Sequence, residues 1–499
     1  MGRWEVAVAL DRQKGLPLYV QIAQALAADI SRGRLRAGDA LPGTRSLARS
    51  LGVQRQTVVA AFDELIAEGW VETRPARGAF VSSAIPESKP RRFAPRMRVD
   101  GLDGQPRIEL PPSPPPERAH RVPPDTLFLA AARPDVRLAP AEMLGRAYGR
   151  AMRRGGPLLS YGEPWGHERL RAAIAAMVKA RRGLAASVEN VCITRGSQMA
   201  LALVARALVR PGDLVAVEAL GYRPAWEAFR LAGAEVVPVA LDENGILVDA
   251  IERLHASRPL RAVYLTPHHQ FPTTVTLAAA RRLQLLEFAA REKVVLIEDD
   301  FDHEFHYDGR PVMPLASADS AGVVVYVGTL SKVLAPALRT GYVVAAPALV
   351  DRVAAYRSLL DTQGDQVLEF ALAELFEEGE IQRHIRRVRA EYAARRDTLV
   401  RSLRESLPGS LEFTVPAGGV GLWARVRNGI DVERWATAGA EAGVLAMTAR
   451  AFAYDDRARP FFRLGFASLD RVELKEAVRR LAAALPPATI PGGPRATAS

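Results

Sequence analysis

Lys332 closes the segment Gly328-Thr329-Leu330-Ser331-Lys332, and Arg339 follows seven residues on. An amine, two hydroxyls and a guanidinium at this spacing suit a phosphorylated carbonyl compound. Thr329, Ser331 and Arg339 would hold the phosphate, and Lys332 would form a Schiff base. Three further stretches can be read chemically. In Arg195-Gly196-Ser197-Gln198 a strand passes into a helix, so backbone N–H groups and the helix dipole could cradle a phosphate. Tyr222 follows Glu218-Ala219-Leu220-Gly221 and places a ring at a strand end, as core filling or as a stacking platform. Glu298-Asp299-Asp300 also ends a strand. Three adjacent acids repel unless one faces a cation, and a protonated pyridine nitrogen is such a cation. Metal binding is the rival for these acids, because Asp302, His303 and His306 lie close by.

The elements that must position these groups alternate along residues 126–486. Short apolar runs at 191–194, 214–218, 235–240, 262–266, 294–300 and 322–327 read as strands, and 197–209 and 277–290 as amphipathic helices between them. That is an α/β domain with a mostly parallel sheet, whose ligands belong at the carboxyl ends of strands. From about Ile381 the pattern becomes one long charged helix and then an α+β section.

Residues 16–82 form a separate pattern. Leu18, Ile22, Ala25, Leu26 and Ile30 recur at helical spacing and Gly33 closes the helix. Thr44 is expected to N-cap a short helix to Leu51, with Leu47 and Leu51 inward. Gly52 breaks it, and a second helix runs from Arg55 to about Glu68. Two helices joined by a Gly-containing turn make a helix-turn-helix, or else a small bundle with a basic face. Gln54, Arg55, Gln56 and Thr57 open the second helix, where long polar side chains would meet bases and phosphates. Residues 71–74 and 78–81 make a hairpin wing with Arg77 and Gly78 near its tip.

Between the two patterns, residues 83–125 carry eleven prolines and several arginines. Such a segment buries no core and reads as an extended or disordered linker. Residues 487–499 read as a disordered tail. The net charge of +11, 67 basic against 56 acidic residues, suits a polyanionic partner. One cysteine, Cys192, excludes an intrachain disulfide framework and fits a reducing cytoplasm. No apolar stretch reaches membrane-spanning length.

The segment LPGTRSLARSLGVQRQTVVAAFDELIAEGWVETRPARGAFV resembles the winged helix-turn-helix of the GntR superfamily. TPHHQFPTT, IEDDFDHEFHYDG, VYVGTLSKVLAPALRTGY and FRLGFA resemble the fold-type I aminotransferases in the form found in MocR/GabR-type regulators. The resemblance covers nearly the whole chain. It implies two domains, an N-terminal α+β winged helix-turn-helix and a C-terminal α/β fold-type I aminotransferase-like domain that binds pyridoxal 5′-phosphate (PLP). It makes Lys332 the Schiff-base lysine and Asp299 the partner of the pyridine nitrogen, with Asp300 as second choice. It places Arg339, Thr329, Ser331, Ser197 and Gln198 around the phosphate, and Tyr222 against the cofactor ring. Tyr161 would reach the phosphate of a neighbouring subunit, and Arg463 would hold an amino-acid carboxylate. On the module, Arg45, Arg55, Thr57 and Gly78 fall at DNA-contacting positions. No metal ligands are assigned.

The implied protein is a cytoplasmic, PLP-dependent regulator that senses an amine, an amino acid or PLP itself. It would form a head-to-tail homodimer and bind double-stranded DNA with repeated half-sites. The alternative is an active aminotransferase with an auxiliary DNA-binding head. Several residues depart from the family pattern: Gly43 and Gln54 replace the usual serines, Phe62 a tyrosine, Phe301 the tyrosine of EDDYD, and Thr274 the glycine of FPTG. Leu138-Ala139-Pro140 stands where the family has Phe-Pro. With the phenol missing at Phe301, His269 or Gln270 is the expected substitute polar contact.

Overall fold

A computed structural model describes residues 10–11, 15–75, 77–83, 125–129, 133–427 and 429–487. The expected linker, apart from its end residues, and the expected tail beyond residue 487 lie outside the described residues. The chain divides into two compact units, residues 1–119 and 120–499.

In the first unit, α1 (Leu18–Ser31), α2 (Thr44–Leu51) and α3 (Arg55–Ala67) enclose a core of Ile22, Leu26, Leu47, Val58, Phe62 and Leu65. The helical spacing of these residues puts each on the inner face. Phe62 is buried in that core, where a phenylalanine brings no hydroxyl to satisfy. An antiparallel hairpin of β1 (Val71–Arg74) and β2 (Gly78–Val81) follows, with Val71 opposite Val81 and Arg74 opposite Gly78. Thr44 departs from expectation. It is the first helical residue, Gly43 holds the cap position, and the Thr44 hydroxyl instead accepts from Arg55 Nε at 3.4 Å. Gln54 caps α3 without a side-chain hydrogen bond. Both helices therefore start without the side-chain cap that a serine provides, an interaction typically worth about 1 kcal/mol.

The second unit is built on a seven-stranded sheet in the order Val191–Thr194, Gly341–Val344, Val324–Thr329, Val295–Asp300, Leu260–Leu265, Leu214–Glu218, Glu235–Val239. Only Gly341–Val344 runs antiparallel to its neighbours. Both faces are covered, which is why these strands read as continuous apolar runs. Val215, Val217, Val325 and Val327 pack against Val204, Trp226 and Phe229 on one side. Leu214, Ala216, Val263 and Leu296 pack against Ile251, Leu285 and Phe288 on the other. A four-stranded antiparallel sheet, Leu411–Glu412, Gly421–Val426, Phe461–Gly465 and Met447–Thr448, belongs to the later part. The long charged helix is Glu380–Ser406. Among the described residues no helix is long and apolar enough to cross a membrane.

The strand expected at 322–327 lies at Val324–Thr329. Gly322 has φ +70 and makes the turn before it, so Gly328 and Thr329 are still in the sheet. Gly328 is required there by space: a Cβ would stand 2.3 Å from Tyr342 Cζ on the adjacent strand. The chain leaves the sheet only at Leu330, two residues before Lys332.

Candidate functional site

Five strand ends bring the chemical residues to one edge of the large sheet. Thr194 leads into the helix Gly196–Leu208, which carries Ser197 and Gln198 in its first turn. The approach at this helix start is close: a Cβ on Gly341 would lie 2.9 Å from Ser197 N, and one on Gly196 would lie 3.0 Å from Arg339 Nη2. Arg339 itself, at φ +47, donates from Nη2 to Arg195 O at 3.0 Å. Guanidinium, helix N-terminus and glycine backbone thus converge, the arrangement that holds a phosphate. Thr329 is buried; its hydroxyl donates to Thr340 O and accepts from Ser331 N. The Ser331 hydroxyl is buried with no hydrogen-bond partner, as is Gln198 Oε1, while Gln198 Nε2 donates to Pro224 O at 2.8 Å. Tyr222, at the start of the helix Arg223–Leu231, meets Phe271 edge to face with centroids 5.9 Å apart. Tyr161 is 87% exposed.

The acids separate by strand alternation. Asp299 accepts from the Tyr264 hydroxyl at Oδ2 (2.9 Å), and its Oδ1 has no partner. Burial pushes its carboxyl up to about 7, against the lowering effect of Tyr264. Asp300 accepts from the Tyr326 hydroxyl at 2.7 Å and faces His303 Nδ1 at 2.9 Å. Burial opposes its charge too, but His303, His268 and Arg182 outweigh burial and hold it below the ordinary carboxylate range. Glu298 faces elsewhere, accepting from Leu315 N and Ala316 N. Lys332 is only partly covered, yet desolvation first and the Arg463 cation second bring its ammonium down to about 8, with Asp302 and Asp299 opposing. Arg463 is 2% exposed, its guanidinium 4.8 Å above the Phe271 ring, and its Nε and Nη1 lack partners. No carboxylate of the described residues pairs with it, and burial lowers its own pKa to about 10.

The exposed face of the first unit carries Arg45, Gln54, Arg55 and Gln56, with Thr57 half-buried beside them. Arg77 and Gly78 are exposed at the wing, where Gly78 takes φ +96. Arg74 is engaged within the hairpin, pairing with Glu72 at 2.7 Å and stacking on Phe80.

Two family models match: "Bacterial regulatory proteins, gntR family" over residues 18–81 and "Aminotransferase class I and II" over 131–481. The "Probable rhizopine catabolism regulatory protein MocR" of Rhizobium meliloti is 32% identical over 489 residues, which is 96% of this chain and 95% of that protein. The chain belongs to the MocR-type regulators. A second such relative, "HTH-type transcriptional regulator TauR" of Rhodobacter capsulatus, is 31% identical over 94% of this chain and 96% of its own. Among solved structures, the multiple substrate aminotransferase of Thermococcus profundus superposes with a TM-score of 0.68 at 30% identity, covering 73% of this chain and 92% of that one. This MocR-type chain is accordingly a DNA-binding transcriptional regulator with an aminotransferase-like sensing domain, and the cofactor of that domain is PLP.

The residues present fit that cofactor. The orphaned oxygens of Asp299, Ser331 and Gln198 and the glycine-lined start of the helix Gly196–Leu208 are buried polar groups awaiting partners. Sequence reasoning missed Tyr264 and Glu218. Glu218 is buried, accepts from Thr266 N and Oγ1, and is pushed up to about 7 by desolvation. It ties two strand ends together. Only a knowledge of which strands are neighbours would have shown either residue.

The expected substitutes for a phenol at Phe301 are engaged elsewhere. Gln270 donates to Leu220 O and Phe271 O and accepts from Thr273, while His269 Nδ1 pairs with Asp302 at 2.9 Å. Phe301 packs edge to face on Phe271. The metal grouping weighed in the sequence also differs, because His303 pairs with Asp300 and Asp302 with His269. Thr274 stands at φ +64, a strained conformation for a β-branched residue that typically costs about 1–3 kcal/mol. Thr274→Gly relieves that strain at the cost of some chain entropy. A net gain of about 1 kcal/mol for the large unit is expected in urea titration.

Proposed function

We propose that this regulator reads the concentration of an amino acid through PLP held at the strand ends, and that the ligand state biases how paired helix-turn-helix modules engage DNA. Lys332 would hold the cofactor through its amine, and Asp299 would face its pyridine nitrogen. Arg339, Thr329, Ser331, Ser197 and Gln198 hold its phosphate, and Tyr222 lies against its ring. The cofactor supplies an electrophilic carbon that captures amines. Arg463 supplies selectivity, because a buried guanidinium that no carboxylate of the described residues pairs with, Asp302 acting on it only through its charge, favours a ligand that brings a carboxylate. That unpaired cation is the observation that carries the reading.

Two chains pair head to tail, which gives the exposed Tyr161 a phosphate to reach on a second copy and presents two modules to repeated half-sites. Arg45, Gln54, Arg55, Gln56, Thr57, Arg77 and Gly78 form the DNA-contacting face, and the protein works in the cytoplasm, where its one cysteine stays reduced. An effector shifts this equilibrium only by binding one arrangement better than the other.

The test is fluorescence anisotropy of an operator fragment with the PLP-loaded chain, titrated with amino acids, amines and PLP. At least one amino acid is expected to change operator affinity, and Arg463→Gln to raise its half-saturating concentration by ~10–100-fold. Arg55→Ala should weaken operator binding by ~10-fold or more while leaving the cofactor absorption in place. A response to PLP alone would make the cofactor itself the signal. Amino-donor turnover at ordinary transaminase rates, with no salt-sensitive DNA binding, would establish the enzyme reading instead.

A further inference from the structure

Half of the chain's 8 histidines gather beside the cofactor site, on the loops that follow two adjacent parallel strands. His268 and His269 come after Leu260–Leu265, and His303 and His306 after Val295–Asp300. The rings of His268 and His269 lie 4.2 Å apart, those of His268 and His303 4.7 Å, and His269 and His306 are parallel at 6.5 Å. We infer that His268, His269 and His306 bind one divalent transition-metal cation of the class that prefers imidazole, such as zinc, cobalt or nickel.

Three observations carry this. One ligand nitrogen from each of the three rings lies within 4.8 Å of the others. Both ring nitrogens of His268 are buried without a hydrogen-bond partner, and so are both of the half-buried His306. A buried imidazole with neither nitrogen satisfied pays the desolvation of both groups unrecovered, and a cation removes that cost. The third ring is oriented as a ligand would be. His269 Nδ1 faces Asp302 Oδ1 at 2.9 Å, and a carboxylate behind a histidine fixes its tautomer and strengthens the opposite nitrogen as a donor.

The loop from the smaller sheet completes the enclosure. His306 bridges to Gly418, and a Cβ on Gly418 would stand 2.5 Å from His269 Nε2, so glycine keeps the space beside that nitrogen clear. Three neutral nitrogen donors exclude magnesium and calcium, which need oxygen ligands. Metal–nitrogen bonds of about 2.0–2.1 Å draw the three rings closer together. His306 is the half-buried ring of the three, His268 and His269 being buried. A bound cation would cross-link the loop that carries Phe271 and Thr274 to the one that follows Asp299 and Asp300.

The test uses the full PLP-loaded chain, freed of any affinity tag and stripped with chelator. Equilibrium dialysis against zinc should give one equivalent per chain, and cobalt should give the visible bands of a nitrogen-ligated site. His306→Gln should weaken zinc binding at least ~10-fold while circular dichroism and cofactor absorption stay unchanged. His268→Gln should do the same, with His255→Gln, away from the cluster, as control. Millimolar magnesium should not compete. Absence of stoichiometric zinc at micromolar free metal overturns the proposal, and so does equal binding by the wild type and His306→Gln. If His268→Gln fails to fold, the half-buried His306 decides. PLP binding has its own absorption readout, so failure of the metal site leaves the cofactor reading standing.

Discussion

Lys332→Ala abolishes the visible absorption that dialysed, PLP-loaded protein retains. The expectation rests on position and on chemistry. Among the described residues the other lysines sit on or at the ends of helices: Lys179 in Glu168–Arg182, Lys293 capping Ala279–Glu292 and Lys475 in Arg471–Ala483. None stands at the strand ends where Asp299, Arg339 and Arg463 converge. Lys332 is also the amine prepared to react. Desolvation and the nearby Arg463 bring it to about 8, from an ordinary value of 10.5, so far more of it is neutral at physiological pH. Cofactor loading should therefore slow by about tenfold for each pH unit below 8. The sign for stability follows from the same shift. The unfolded chain binds the proton more tightly, so the folded state is penalised below pH about 8, and that penalty lifts as pH rises toward 10.5. Operator binding by Lys332→Ala in the absence of ligand should persist, since Arg55 and its neighbours belong to the other unit. Persistence of the absorption after exhaustive dialysis would mean that another amine carries the cofactor.

What the sequence revealed was local, and what it withheld was the company each residue keeps. The helix Leu18–Ser31 and the strands Val71–Arg74 and Gly78–Val81 follow from periodicity and from glycine at turns, so their limits were legible. Thr44 was misplaced by one position because a hydroxyl at a helix start looks like a cap whether it occupies the cap or the first turn. The strand ending at Thr329 looked shorter because Gly328-Thr329 resembles turn chemistry; only the ring of Tyr342 on the next strand explains a glycine inside the sheet. Lys332 and Arg339 could be picked out from motif spacing, and Arg463 from the family resemblance. Tyr264 could not, because it meets Asp299 only through the neighbouring of Leu260–Leu265 and Val295–Asp300. The same holds for His268 and His306, 38 residues apart and brought together by that one strand pairing.

Asp299 and Asp300 were indistinguishable as letters, and their substitutions should separate them sharply. Successive residues of a strand point to opposite faces. Asp299 turns to Tyr264 and keeps Oδ1 unpartnered, whereas Asp300 turns to Tyr326 and His303. Asp299→Asn preserves shape and the acceptor for Tyr264 while removing the charge that a pyridinium needs. PLP affinity is expected to fall ~100-fold, as for one partner removed from a buried charge pair worth about 3 kcal/mol. The ligand-free fold should not suffer. Burial raises Asp299 to about 7, so the folded state binds its proton more tightly than the unfolded chain, and wild-type stability from this group declines as pH rises from 3.8 through 7. Above pH 7 the neutral amide avoids that cost. Asp300→Asn should behave in the opposite way. Its carboxylate is held ionised by His303, His268 and Arg182 against burial, so it contributes stability above the unfolded value of 3.8, and loss of the charge removes the carboxylate that His303 faces, while Arg182 keeps Glu304 at 2.9 Å. A loss of ~2 kcal/mol or more is expected in denaturant titration, with PLP affinity within ~3-fold of wild type. Loss of PLP binding in Asp300→Asn alone would reverse the assignment and make Asp300 the partner of the cofactor nitrogen.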